Sequence, residues 1–390
     1  MAQKSQGSAP LSNLHSPIST LQSPLSLYVH VPFCASKCKY CDFYSLAAPE
    51  RMDDYVDAMC RHLDAWGERC REYRVDTVYF GGGTPSLLGG ARLTRLLGAA
   101  VRAFSVEENA EITVECNPDS MDAALLAALR GAGVNRLSVG VQSAHDSELR
   151  MLGRRHTFEE ARRAVGEAYR YGFENLSLDL MYALPGQDEP RLLESVQALL
   201  ALAPAHLSCY ALKVEPGTPF ARERIVQPDE DAQADMYLAL CETLRAAGYE
   251  HYEISNWAKP GFRARHNAKY WDLSSYLGIG PSAHSLLGGR RFAYDRSLDA
   301  FLAGQPPVQE DEVDGFSPAL EFLMLALRTA DGVVSEAFEA RFGVPFAPYA
   351  RRLRFFEPHG LTRFESGRWR LTEQGFLLSN SILTDVLSAE

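Results

Sequence analysis

A chain of 390 residues that is 46% apolar is long enough to bury one large core and a smaller second one. The formal net charge of −11 argues against a broad phosphate-binding surface, since nonspecific nucleic-acid affinity comes from clustered Lys and Arg, and no apolar run approaches the length of a bilayer span. Eight cysteines, three packed together and the rest scattered as Cys60, Cys70, Cys116, Cys209 and Cys241, suit a reducing cytosol and exclude a disulfide framework; a cytoplasmic protein is expected.

Residues 1–26 are rich in Ser, Pro, Gln and Leu, carry one Lys and no acidic residue, and contain no signal-peptide core, so they read as a flexible tail outside the fold. Apolar runs predict strands at Leu27–Val31, Thr77–Phe80, Glu111–Glu115, Arg136–Val141, Asn175–Met181 and Leu207–Leu212. Amphipathic stretches lie between them. In the first, between Arg51 and Arg69, Tyr55, Met59, Leu63 and Trp66 recur every three or four positions, as on one helix face. Strand, helix, strand alternation implies parallel strands joined by right-handed crossovers. Six such units fall short of a closed eight-stranded barrel, so the expected class is α/β, a partial (β/α)6 barrel, with a doubly wound sheet as the alternative. The core is expected over 27–250, with an aromatic-rich connecting region over 251–316. From 317 to 390 the pattern turns to helices at Glu321–Arg328, Ser335–Phe342 and Phe346–Phe356, then two strands around Ser366-Gly367 within Leu361–Leu371. That order resembles an α+β winged-helix module. Its Arg351, Arg352 and Arg354 read as a solvated face, and with the acidic balance of the chain no nucleic-acid partner is expected.

In parallel α/β folds ligands sit at the carboxyl ends of the strands. The unusual residues gather there. Cys34, Cys38 and Cys41 follow the first strand in LYVHVPFCASKCKYCDFYS, Gly81–Pro85 the second; Glu115, Asn117 and Pro118 close the third, Gln142 and Ser143 the fourth, and Asp179 and Tyr182 the fifth. Three thiolates on one loop hold three irons of a 4Fe-4S cube and leave the fourth open for a small molecule or a remote ligand. With His30 the same cysteines would instead make a structural Cys3His zinc site. The Gly-Gly-Gly-Thr-Pro turn offers bare backbone to an amine or carboxylate, or is only a turn; it lacks the Gly-Lys-Ser/Thr ending of a phosphate loop. Glu115 and Asp179 can hold ribose hydroxyls or an ammonium, or cap the following helices. Arg154 can pair with a carboxylate or lie solvated.

The CxxxCxxC loop, followed in order by Gly81–Pro85, Glu115, Gln142, Arg154 and Asp179, resembles the radical S-adenosylmethionine (SAM) superfamily, and within it the coproporphyrinogen III oxidase-like branch. The resemblance runs from about Tyr28 to the C-terminus. It implies that SAM chelates the open iron through its amino and carboxylate groups and that an electron from the reduced cluster can cleave it to a 5'-deoxyadenosyl radical. By the same resemblance Tyr28 and Tyr40 are the aromatic residues lining cluster and adenine, Gly82, Gly83 and Thr84 hold the methionine amino end, and Glu115, Gln142, Arg154 and Asp179 fix the ribose and methionine portions. The decarboxylating oxidases of the branch carry a fourth cysteine two positions after the third; here that position is Phe43, which cannot ligate iron. The CxxxCxxCxF loop and HNAKYW, with His266, Asn267, Tyr270 and Trp271, are similar to the loop and HNxxYW signature of the HemW-type heme chaperones.

Heme wants aromatic walls, an axial donor and cations for its carboxylates. Tyr249, Tyr252, Trp257, Phe262, Tyr270 and Trp271 lie near His266, with Arg263 and Arg265 beside it; the alternative is that His266 orders a loop and the aromatics pack two domains. With the resemblance, His266 becomes the expected axial ligand. The implied cofactors are a 4Fe-4S cluster, SAM and heme; the implied partners are acceptor apo-hemoproteins, an electron donor and a membrane approached peripherally. Chaperone activity is favoured over enzymatic turnover, with oxygen-independent coproporphyrinogen III oxidation and a zinc-stabilised winged-helix regulator as the alternatives.

Overall fold

The computed structural model describes residues 24–309 and 317–389. The first 23 residues of the expected tail, residues 310–316 of the connecting region and residue 390 lie outside the described residues. All six expected parallel strands are present: β1 Pro24–Val31, β2 Arg74–Gly82, β3 Ser105–Cys116, β4 Arg136–Gln142, β5 Asn175–Tyr182 and β6 His206–Ala211. They pair in sequence order, each parallel to the next, as helical crossovers require. Most run one to six residues beyond the apolar cores that predicted them, and β1 starts at Pro24, inside the expected tail.

Alternation along these strands divides their side chains between two faces. Leu137 and Val139 of β4, Leu178 and Leu180 of β5 and Leu207 of β6 are buried in the main apolar core. That core also takes Tyr55, Met59, Leu63 and Trp66 from the helix Met52–Arg69, the periodic face expected there. The opposite face is polar. Tyr79, Glu115, Ser138, Asp179 and Ser208 stand on it, and the register sets Glu115 opposite Ser138 and Asp179 opposite Ser208.

The connecting region supplies both edges of the same sheet. β7 Glu250–Glu253 and β8 Asn256–Ala258 extend it antiparallel beyond β6, while β9 Tyr276–Ile279 pairs parallel with β1 and leads to β10 His284–Leu287, β11 Arg290–Ala293 and β12 Val308–Gln309. Strands of two to four residues are too short to show a period, which is why only the aromatic content of this stretch registers in the sequence.

The C-terminal unit has its expected helices, Pro318–Ala326, Ser335–Phe342 and Ala347–Phe356, and its hairpin, β14 Thr362–Glu365 and β15 Arg368–Leu371. A short strand, β13 Val333–Val334, completes a three-stranded antiparallel sheet, and two further helices, Glu373–Leu377 and Ser379–Leu387, close the chain. Phe338, Phe346, Leu353 and Trp369 fill its interior.

Candidate functional site

The loop after β1 leaves at Pro32 and returns at Leu46: the Cys34 amide donates to the Leu46 carbonyl (3.0 Å) and the Leu46 amide to that of Pro32 (2.8 Å). Within it Cys34, Cys38 and Cys41 are half-buried free thiols. The loop's middle is held from outside, the Lys39 amide donating to Leu152 (3.0 Å) and the Phe220 amide to Lys39 (3.1 Å).

The glycine turn after β2 presses on this loop. Gly83 and Thr84 donate their amides to Val31 (2.8 Å) and Phe33 (2.7 Å). A Cβ on Gly83 would lie 2.6 Å from the Phe33 carbonyl oxygen, and one on Gly82, at φ 110°, 2.4 Å from the His30 ring, so no side chain fits at either position. The Gly82 amide donates to Glu115 Oε2 (3.1 Å). Three amides of the turn are thereby committed inward.

Each of the three sulfurs receives a donor, Cys41 from the Phe43 amide. Arg154 directs Nη1 to Cys38 Sγ (3.8 Å) and Nη2 to Asn117 Oδ1 (2.7 Å) and the Gly140 carbonyl (2.6 Å). Asn117 Nδ2 donates to Thr84 Oγ1 (3.2 Å), which donates to Cys34 Sγ (3.5 Å). Burial pushes the Cys41 thiol up, and negative charge at Cys38 and Cys34 adds to it. Three thiols gathered on one loop that take N–H and O–H donors at sulfur suit a polynuclear cation such as an iron-sulfur cluster. His30 does not complete a zinc site with them: its ring nitrogens are held by the Tyr28 hydroxyl and the Tyr44 carbonyl, each at 3.0 Å.

A cavity of about 1020 Å³ opens beside the cysteines. That is at the upper end of the roughly 300–1,000 Å³ usual for small-molecule sites. Its wall carries Tyr28, Tyr40, Gly82, Gly83, Thr84, Glu115, Gln142, Arg154 and Asp179 together with all three cysteines. Gln142 adopts φ 71°, a left-handed conformation that costs a non-glycine residue energy and that collects at functional sites. Burial pushes Glu115 up to about 7, against the hydrogen bond donated by Tyr79, and Asp179 up to about 6, against that from Ser138. Neither carboxyl sits at the start of the helix that follows its strand, so both face the cavity and the capping alternative lapses.

His266 is elsewhere. It is 1% exposed, Nδ1 lies 2.9 Å from Thr77 Oγ1 and Nε2 2.9 Å from the Tyr270 hydroxyl, and burial with nearby Lys269 lowers its pKa to about 3. The expectation of an axial donor is corrected here: both ring nitrogens serve packing, behind the wall on which Asn267 and Tyr270 of the same motif stand. The exposed imidazole on that wall is His284, in β10. Sequence reasoning also missed Arg136, which opens a wholly buried strand and whose Nε has no hydrogen-bond partner among the described residues. A cation in so apolar a run was the available signal. Asn117 registered only as a strand end, and its bridge between Thr84 and Arg154 needed coordinates.

Residues 28–199 match the radical SAM superfamily and residues 318–378 the HemN C-terminal domain. The chain is 37% identical to the heme chaperone HemW of Escherichia coli over 366 residues, covering 92% of this chain and 97% of that protein. It belongs to the HemW family. The heme chaperone HemW of Lactococcus lactis is 35% identical over 371 residues, covering 93% and 97% of the two chains. A solved structure, the coproporphyrinogen III oxidase HemN of Escherichia coli, described as a radical SAM enzyme, superposes with a TM-score of 0.82 at 23% identity over 94% of this chain and 91% of its own, a likeness of fold. For a HemW-family chain the superfamily implies a 4Fe-4S cluster and SAM. No helix among the described residues is long and apolar enough to cross a membrane.

Proposed function

We propose that this HemW-family protein carries a 4Fe-4S cluster on Cys34, Cys38 and Cys41, binds SAM against it, holds heme and passes it to acceptor hemoproteins in the cytoplasm. The observation that supports the reading is a single cavity wall bearing the three cysteines, the acids and cations suited to an amino acid and a ribose, and at its mouth Phe43, 67% exposed, where a further sulfur would make an oxidase-type loop. When bound, the cluster supplies an electron and an open iron for SAM.

The chain's own residues have separable tasks. The turn carbonyls at Gly82 and Gly83 accept from an ammonium, Arg136 and Arg154 face carboxylates, and Glu115 and Asp179 accept from ribose hydroxyls. Tyr28, Tyr40, Tyr210 and Tyr270 supply flat apolar wall on which a porphyrin or an adenine can lie. His284 is the axial donor this wall favours, and Arg296 beside it in the lining is a cation for a heme carboxylate. The two lie on the rim nearest the cysteine loop, where Arg296 donates to the Asp42 carbonyl (2.6 Å). The partners proposed are acceptor apo-hemoproteins, an electron donor and a membrane met peripherally.

Anaerobic reconstitution tests the cluster: the parent should gain iron, sulfide and broad visible absorption, and Cys38→Ala should lose all three while keeping its far-ultraviolet spectrum. Full iron in that variant refutes the loop assignment. Titration with heme, beside an assay for coproporphyrinogen turnover, tests the function. Stoichiometric heme binding without turnover is expected, and product formation without tight heme binding would replace the chaperone reading with the oxidase one.

A further inference from the structure

Away from the cavity, three side chains from three elements converge where the C-terminal unit meets the sheet. Cys241 lies near the end of the helix Glu230–Ala246, His251 on β7, and Glu373 at the start of the helix Glu373–Leu377. Their ligating atoms all fall within 4.8 Å of one another. The Glu373 Oε1 to His251 Nδ1 distance is 3.4 Å and the Cys241 Sγ to Nδ1 distance 4.0 Å. A tetrahedral zinc ion with ordinary bond lengths sets such edges at about 3.4 Å for nitrogen to oxygen and about 3.6 Å for sulfur to nitrogen. The two edges at His251 are therefore within a few tenths of an ångström of those of a zinc ligand set.

His251 turns Nε2 toward the Tyr237 hydroxyl, 3.5 Å away, and Nδ1 toward the Glu373 carboxylate at 3.4 Å. That second spacing is long for a charge-assisted hydrogen bond, usually about 2.7–2.9 Å, and natural for two ligands of one metal. The ring is fixed for the purpose, stacked on Trp257 with centroids 4.2 Å apart and met edge-on by Phe376. Arg245 is paired with Glu373 Oε2 and leaves Oε1 to the site.

We propose that Cys241, His251 and Glu373 form a zinc site that ties the C-terminal unit to the edge of the main sheet. Thiolate, imidazole and carboxylate are the borderline-soft set that zinc takes, with water in the fourth position. The thiol gives up its proton to solvent as the Zn–S bond forms, so zinc binding releases a proton. No oxidation or reduction is involved, and the site stands independently of the heme and SAM readings.

The test uses the full chain with its cluster loaded, so that Cys34, Cys38 and Cys41 are occupied. After equilibration with zinc chloride and desalting, the parent should retain one zinc per chain with a sulfur scatterer at about 2.3 Å at the zinc X-ray edge. Cys241→Ser should lose that scatterer, and zinc should raise the thermal midpoint of the parent but not of Cys241→Ser or Glu373→Gln. If the parent retains no zinc, or if Cys241→Ser retains it with the same sulfur signal, the proposal is wrong. The parent's zinc content alone decides the matter should a variant fail to fold.

Discussion

Glu115→Gln separates ionisation from packing at the cavity floor. In the folded chain Glu115 titrates at about 7 against an ordinary 4.5, with burial as the main cause. The folded state thus holds the proton more tightly than the unfolded one. The associated stability is complete below about pH 4.5 and is lost as pH rises through 7, a loss of about 3 kcal/mol at 1.36 kcal/mol per pH unit. Gln has no proton to lose, so the variant escapes this cost. It keeps an acceptor for the Tyr79 hydroxyl but turns an N–H toward the Gly82 amide, a mismatch worth about 1–3 kcal/mol at every pH. Urea denaturation of the cluster-free protein, under reductant at pH 5, 6, 7 and 8.5, should show the variant less stable than the parent at pH 5 and level with it or above it at pH 8.5. Glu253, also pushed up to about 7 by burial, titrates in the same window but is common to both chains and cancels in the difference. Parallel pH profiles would refute the argument, because they would mean that Glu115 is solvated or permanently ion-paired.

Arg154→Met removes the donors to Cys38 Sγ, Asn117 and Gly140, and at about 1.5–3 kcal/mol for a charged hydrogen bond it should speed chelator-driven iron loss tenfold or more; an unchanged rate would show that the guanidinium does not support the cluster. His266→Ala should cost about 2–4 kcal/mol in urea denaturation by opening a void and removing the ring partner of Thr77, which keeps only Ser26, and of the Tyr270 hydroxyl, with the heme Soret band unmoved. A shifted band would put His266 back in the iron's coordination. Lys269→Met strands Asp76, 8% exposed, with only the weaker contact to Arg265 at 3.7 Å, and should cost about 3 kcal/mol; a loss under 1 kcal/mol, measured by denaturation, would place that pair in effective contact with water.

The six parallel strands were legible because each is an apolar run long enough to stand out between helical periods. The cysteine loop was legible because ligand spacing is local: three sulfurs within eight residues need no tertiary information to be read as one site. The order of strand ends likewise placed Gly82, Gly83, Thr84, Glu115, Gln142 and Asp179 at one mouth, and the cavity wall holds them all; Arg154, which follows a helix, was placed with them by the family resemblance alone.

What distinguishes the remaining residues is direction. HNAKYW reads the same whether His266 faces a ligand or a neighbouring strand, and helix phase against β2 turns its ring to Thr77 while Asn267 and Tyr270 take the wall. Edge strands of two to four residues carry no readable period, so the connecting region joined the sheet only once its hydrogen bonds were seen. Local chemistry, set by neighbours in the chain, was thus determined by sequence: the loop, the strands and the family they mark. Partnerships between distant residues, such as Asn117 with Arg154 or Cys241 with Glu373, were decided by packing, because only the folded backbone fixes which way a side chain points and what it meets.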